Sequence, residues 1–208
     1  MQYARMNSLL FSRFTARQFA IGLASCTAIL GLAVMLGWHF NRLGIIQILP
    51  ASAPMLYNTA LGFLFSGVSV ILTAFGWRKF GAALAALVAL VGLLTLSQYF
   101  LGVNLGLDQF FVKANLMDKV SHPGRMSPLT AACFVLVGAV QLLRYPSSRR
   151  SSLLTSSVLT AVVAALAGGV LIAQAAGLPN TALQLHFTQM AVHSALGFLL
   201  LTAALYAL

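Results

Sequence analysis

Six apolar stretches, at about residues 19–38, 56–75, 81–101, 128–144, 153–176 and 188–208, occupy most of the 208-residue chain and leave only short polar segments between them. A helix needs about 20 apolar residues to cross the hydrocarbon core of a bilayer, and the fourth stretch sits near the lower limit of about 17. Lipid offers backbone N–H and C=O groups no water, so such runs close their hydrogen bonds internally as helices. Charged residues make up 7% of the chain, against about 25% in soluble domains. The expected fold is an all-α integral membrane bundle of six transmembrane helices, arranged as three hairpins over about 19–75, 81–144 and 153–208.

Basic residues give the orientation. The N-terminus and the second and fourth connections hold Arg5, Arg13, Arg17, Arg78, Lys79, Arg144, Arg149 and Arg150. The other connections hold Arg42, Lys113, Lys119 and Arg125, partly offset by Asp108 and Asp118. The positive-inside rule then puts both termini in the cytoplasm and the His- and Met-bearing loops outside. The first run is a full span without a small-x-small cleavage site, so it reads as a retained helix rather than a signal peptide. Residues 1–18 read as an interfacial segment whose partner is anionic lipid. The formal charge of +10 is thereby a topology signal, and no basic patch interleaved with aromatic residues supports a nucleic-acid partner. Cys26 and Cys133 both fall inside spans and are not placed for a disulfide.

The even-numbered spans share a pattern. It reads Met55-Thr59-Ala60-Phe63-Gly67, Met126-Thr130-Ala131-Phe134-Gly138 and Met190-Ser194-Ala195-Phe198-Thr202. Positions spaced this way form one slowly drifting stripe on a helix. Three equivalent helices would therefore turn a Met-Thr-Phe-small face the same way, which implies pseudo-threefold symmetry and a ligand site where the faces meet. In the odd-numbered spans Gly31, Gly92 and Gly168 sit at comparable depths, and Gln98 and Gln174 follow the latter two at the same interval. Leu43-Gly44-Ile45 matches Leu105-Gly106-Leu107, whereas the third copy diverges to Gly177-Leu178-Pro179-Asn180. Small residues such as Ala82, Ala85, Ala89, Ala161 and Ala165 mark helix-packing stripes.

The longest external segment runs from Gly102 to Pro128. Its amphipathic first part, to Phe111, predicts that the preceding helix continues into the interface. Its end is a well-specified helix start: Ser127 can cap free N–H groups and Pro128 suits the first turn. Arg125 is expected either to pair with Asp108 and fix the loop or to meet an anionic headgroup.

Candidate ligand-binding residues are Tyr57, Asn58, Thr59, Phe63, Arg125, Thr130, Phe134, His193, Ser194 and Phe198. They combine a polar rim with an aromatic base, which suits a quinone, a fatty acid or a similar lipid-soluble molecule. Met55, Met126 and Met190, with His193 or His122, would offer soft ligands to monovalent copper. His39, His186 and His193 are the candidates for haem. His186 and His193 stand roughly 10 Å apart along a helix and do not share one metal ion. The plain alternatives are that Met fills gaps in the packing, that Ser and Thr bond to their own helix carbonyls, and that His193, in the slot of Asn58 and Leu129, makes an interhelical hydrogen bond.

The segment Ser121-His122-Pro123-Gly124-Arg125-Met126-Ser127-Pro128-Leu129-Thr130-Ala131, with Leu105-Gly106-Leu107-Asp108-Gln109 and Asn58-Thr59-Ala60-Leu61-Gly62-Phe63-Leu64, resembles the N-terminal multi-helix membrane sensor region of bacterial sensor histidine kinases and diguanylate cyclases with PAS or GGDEF output. The resemblance covers about residues 45–208. It implies a signal-transduction input domain in the bacterial inner membrane, no catalytic residue within this chain, a homodimer, and a cytoplasmic output that is absent here. A small transporter subunit and a haem- or copper-binding redox protein are the other classes. No Asp, Glu, Lys or Arg lies at mid-depth to couple ion flux, and both carboxylates are external, which disfavours acid/base catalysis.

Overall fold

The computed structural model describes residues 2–49, 52–112, 123–144, 150–177 and 190–208, with side chains from Thr15 onward. Expectations about His122, His186, Lys113, Asp118, Lys119, Arg149 and Asn180 lie outside the described residues. The described residues form seven helices: α1 (Gln2–His39), α2 (Leu43–Ile46), α3 (Tyr57–Ala74), α4 (Arg78–Leu101), α5 (Pro128–Arg144), α6 (Arg150–Ala175) and α7 (Val192–Ala207). Four helical segments are long and apolar enough to cross a membrane: Thr15–His39 of α1, and α3, α4 and α6. The other two apolar helices, α5 and α7, have 17 and 16 residues. Large apolar side chains stand exposed along the long helices, among them Ile29, Leu36, Leu90, Leu93, Val158 and Ile172. Surfaces of that kind are membrane-protein surfaces rather than the skin of a soluble domain.

The long helices bury one narrow stripe each. In α1 it runs Ala20, Ala24, Thr27, Gly31, Val34, Trp38; in α4 it runs Gly81, Ala85, Val88, Gly92, Thr95; in α6 it runs Ser156, Thr160, Val163, Ala167. Alternating steps of four and three residues keep such a stripe on one helix face. Most of its members are small, so backbones approach closely. A Cβ on Gly31 would stand 2.4 Å from the Ala60 carbonyl oxygen, and one on Gly92 would stand 2.7 Å from that of Ala131.

Helices α3, α5 and α7 touch one another at the centre. Around them α1 packs on both α3 and α7, α4 on both α3 and α5, and α6 on both α5 and α7, so the packing closes into a ring. The central helices bury corresponding positions: Thr59, Thr130 and Ser194; Ala60, Ala131 and Ala195; Phe63, Phe134 and Phe198; Ser66, Val137 and Leu201.

Polar contacts tie the helix ends opposite the methionines. The Arg17 guanidinium lies 5.4 Å from the centre of the Phe75 ring. The Ser69 hydroxyl donates to the Gly81 carbonyl at 2.7 Å and also meets Gln141 Oε1. Arg144 Nε donates to the Ser156 hydroxyl at 3.1 Å and its Nη1 to the Leu205 carbonyl, which joins α5 to α6 and α7. Two buried groups in this region, Ser66 Oγ and Gln141 Nε2, have no partner among the described residues.

Three expectations need correction. Helix α4 does not continue to Phe111: Gly102 takes a left-handed conformation (φ +64°) and ends it at Leu101. Gly168 does not match Gly31 and Gly92, because a Cβ there meets nothing within 4 Å; the buried residue at that level of α6 is Ala167. Ala161 and Ala165 do not form the packing stripe of α6, since both are exposed.

Gly31→Ala and Gly92→Ala should each destabilise the bundle by about 1–3 kcal/mol, the usual cost of overpacking, whereas Gly169→Ala should be neutral or mildly stabilising. Ser66→Ala should raise the melting temperature, because it removes a buried hydroxyl that has no partner. Thermal unfolding of the variants in lipid nanodiscs checks both expectations.

Candidate functional site

Each central helix begins just after one of the repeated methionines, and the three methionine carbonyls are satisfied alike. The Trp38 indole N–H donates to the Met55 carbonyl at 2.9 Å. The Tyr99 hydroxyl donates to that of Met126 at 3.2 Å, and the Gln174 amide to that of Met190 at 3.2 Å. All three methionine side chains are buried. Gln98 and Gln174 consequently have different roles, although the sequence pairs them: Tyr99, not Gln98, does in the second hairpin what Gln174 does in the third.

Below the methionines the Phe63, Phe134 and Phe198 rings meet, with centroids 5.0 Å (63 to 134), 4.7 Å (63 to 198) and 4.8 Å (134 to 198) apart. Pairs at such distances contribute about 0.5–1.5 kcal/mol each beyond their burial. Glycines make room for the rings. A Cβ on Gly62 would be 2.6 Å from the Phe134 ring, and one on Gly197 would be 2.9 Å from the Phe63 ring. The place where the three repeated faces converge is therefore filled by the protein's own aromatic side chains.

Beyond α4 the segment 102–112 forms a strap held by buried polar contacts. Gln98 Oε1 accepts the Leu105 N–H at 2.9 Å, and its Nε2 donates to Asp108 Oδ1 at 3.1 Å. Arg125 Nε donates to Asp108 Oδ2 at 2.7 Å, and both side chains are less than a tenth exposed. Arg125 also lies 5.3 Å from the centre of the Tyr99 ring. Gly124, at φ +81°, lets the chain pass the Asp108 carbonyl oxygen, which would stand 2.6 Å from a Cβ. Ser127 Oγ accepts the Thr130 N–H at 3.2 Å and so caps α5 as predicted. The Arg125–Asp108 pair thus forms, and it is buried.

Under this strap lies a cavity of about 280 Å³. Asn58, Leu61, Gly62 and Phe65 line it from α3; Leu87, Val88, Val91, Leu94 and Thr95 from α4. Leu107, Phe110 and Phe111 of the strap cover it, and Met126 and Phe134 close the inner end. The Asn58 amide N–H₂ reaches the strap, donating to the carbonyls of Leu107 (3.1 Å) and Asp108 (3.3 Å). Leu30, eight residues before Trp38, fills the corresponding contact between α1 and α7, its Cδ2 3.1 Å from a Cβ built on Gly197. Eight residues before Tyr99 stands the shorter Val91.

Of the sequence-predicted residues, Asn58 and Phe134 line this cavity, and Met126 joins them. Phe63 and Phe198 back Phe134, and Arg125 latches the strap. Thr59, Thr130 and Ser194 are buried in the bundle. Tyr57 lies beside the strap: its ring is 5.9 Å from that of Phe111, and its hydroxyl is 3.3 Å from His39 Nε2. His39 is exposed whereas His193 is buried; the backbone of Ile46 lies beside the His193 ring, but neither ring nitrogen meets hydrogen-bond geometry with a described residue. No group of three or more His, Cys, Asp or Glu side chains gathers as metal ligands among the described residues. Sequence reasoning missed Thr95, Val91 and the strap aromatics Phe110 and Phe111. The available signal was Asp108, one of two acidic residues in the chain.

No family model, no curated protein and no solved structure matches the chain; the reading of the site rests on its own geometry.

Arg125→Met should destabilise the protein by about 3–5 kcal/mol, because it leaves the Asp108 carboxylate buried without its cation. Adding Asp108→Leu should restore most of that loss. Melting temperatures of the single and double variants, measured in the same nanodiscs, check the recovery.

Proposed function

We propose that this chain is a sensory input module of the bacterial inner membrane, built from six spans in three repeated hairpins with both termini in the cytoplasm. A lipid-soluble ligand occupies the cavity between α3 and α4. The observation that carries this reading is the apolar cavity itself, covered by a strap that Asn58 and the Arg125–Asp108 pair hold in place. Apolar concavities with one or two placed polar groups are the usual form of a small-molecule site.

Transmission follows from the packing. Phe134 lines the cavity and touches Phe198 of α7, so a ligand that displaces the Phe134 ring alters the seat of the last helix. Such a ligand drives the change only to the extent that it binds one arrangement better than the other. In the parent signalling protein α7 leads to a kinase or cyclase output, and the protein works as a homodimer, as the sequence resemblance implies.

A fusion of α7 to a diguanylate cyclase domain tests this reading. Val91→Phe, which fills the cavity, should fix cyclic dinucleotide production at one level whatever the membrane contains. Phe198→Leu, at a residue that lies behind Phe134 and outside the cavity lining, should weaken the response and leave ligand binding largely intact. Output that responds equally in the parent fusion and in Val91→Phe would sink the proposal.

A further inference from the structure

The chemistry of the cavity wall narrows what it accepts. Among the described residues, Asn58 and Thr95 carry its only polar side chains, and no ionisable side chain lines it. Arg125, which holds the strap, is committed to Asp108 and Gln98 and is absent from the lining. An anion placed here would lose its water without gaining a counter-charge. Carboxylates and phosphates are thus disfavoured, including the fatty-acid anion that the polar rim first suggests.

The two polar groups are not equivalent in what they have left to offer. Both hydrogens of the Asn58 amide are directed at the strap, toward Leu107 and Asp108, which leaves Oδ1 as an acceptor with no donor among the described residues. The Thr95 hydroxyl, on the α4 side, makes no side-chain hydrogen bond among them either. An amide oxygen only accepts, whereas a hydroxyl both donates and accepts. A ligand that satisfies the pair must bring a hydrogen to Asn58, and it can receive one from Thr95.

From this donor and acceptor census we infer that the cavity selects an uncharged apolar molecule bearing a hydroxyl, an alcohol or a phenol, over its ether, hydrocarbon and carboxylate counterparts. The inference rests on the cavity being a ligand site, as proposed above, and specifies its substrate class. A quinone, which only accepts, leaves Asn58 Oδ1 unpaired, while the reduced, hydroxyl-bearing form does not. Because the same Asn58 amide pins the strap, a ligand bonded to its oxygen also strengthens the cover above itself through a polarised hydrogen-bond chain.

Binding of tritiated 4-butylphenol to the full chain in nanodiscs, corrected with empty nanodiscs, tests the inference. Competitors are 4-butylanisole, butylbenzene and 4-butylbenzoate. The phenol should bind about fivefold more tightly than the anisole or the hydrocarbon, as one net hydrogen bond allows, and the benzoate should not compete. In Asn58→Leu, a residue already tolerated at the matching position by Leu129, the phenol should lose its advantage while butylbenzene still binds. Thr95→Val, which keeps the shape of the side chain, should narrow the advantage even if Asn58→Leu folds poorly. Equal binding of the three neutral probes, or preference for the benzoate, overturns the inference and leaves the cavity reading standing. Unchanged binding of every probe in Val91→Phe overturns the cavity reading itself.

Discussion

The architecture depends on satisfying backbone carbonyls where the central helices begin. Helices α3, α5 and α7 have 18, 17 and 16 residues, or about 24–27 Å at 1.5 Å per residue, so α3 is near the minimum for crossing the apolar core of a bilayer and α5 and α7 are shorter still. Each is entered by a non-helical stretch carrying a buried methionine. Irregular backbone survives at membrane depth only where protein groups replace water. Trp38 of α1, Tyr99 of α4 and Gln174 of α6 supply that replacement. Without those donors the short helices would begin with an orphaned acceptor in apolar surroundings, and the close fit of the small-residue stripes would have nothing to set its depth.

Much of the helical layout was legible because lipid permits so little else. The fourth apolar run matches α5 from Pro128 to Arg144, and the other runs fall within a few residues of their helices, allowing for the undescribed residues before Met190, except that α1 extends back to Gln2. The recurrence of Met, Ala and Phe likewise picked out buried positions. What could not be read was equivalence between unlike side chains. An indole, a phenol and an amide share no obvious pattern, yet each presents one hydrogen to one carbonyl. Matching glycine to glycine and glutamine to glutamine therefore misaligned the third hairpin by a residue and joined two glutamines with separate duties.

The candidate site shows the complementary lesson. The residues that recur in α3, α5 and α7 pointed to the common centre of those helices, and Phe63, Phe134 and Phe198 leave no space there. Space appears where the recurrence fails: Val91 against Leu30, Asn58 against His193. The strap was hidden for another reason. Its position depends on a glycine that ends α4, a second glycine that clears the Asp108 carbonyl, and an ion pair joining residues 17 apart in the chain. Each is a tertiary fact with only a faint local mark. Charge balance also shaped the chemistry, because Arg125 and Asp108 neutralise each other and the described residues give the cavity no charge, in a chain of strongly basic composition.

The closed circuit of helix contacts has a mechanical meaning of its own. An open row of helices can absorb a wedge at one seam by splaying at its end, but a hoop has no end at which to relax. Widening the seam between α3 and α4 must be met by narrowing or tilting at the others, and the three phenylalanine rings act as the hub against which that adjustment turns. A small displacement beside Val91 is thereby shared around the whole circumference, and α7 feels it from α1 on one flank and α6 on the other.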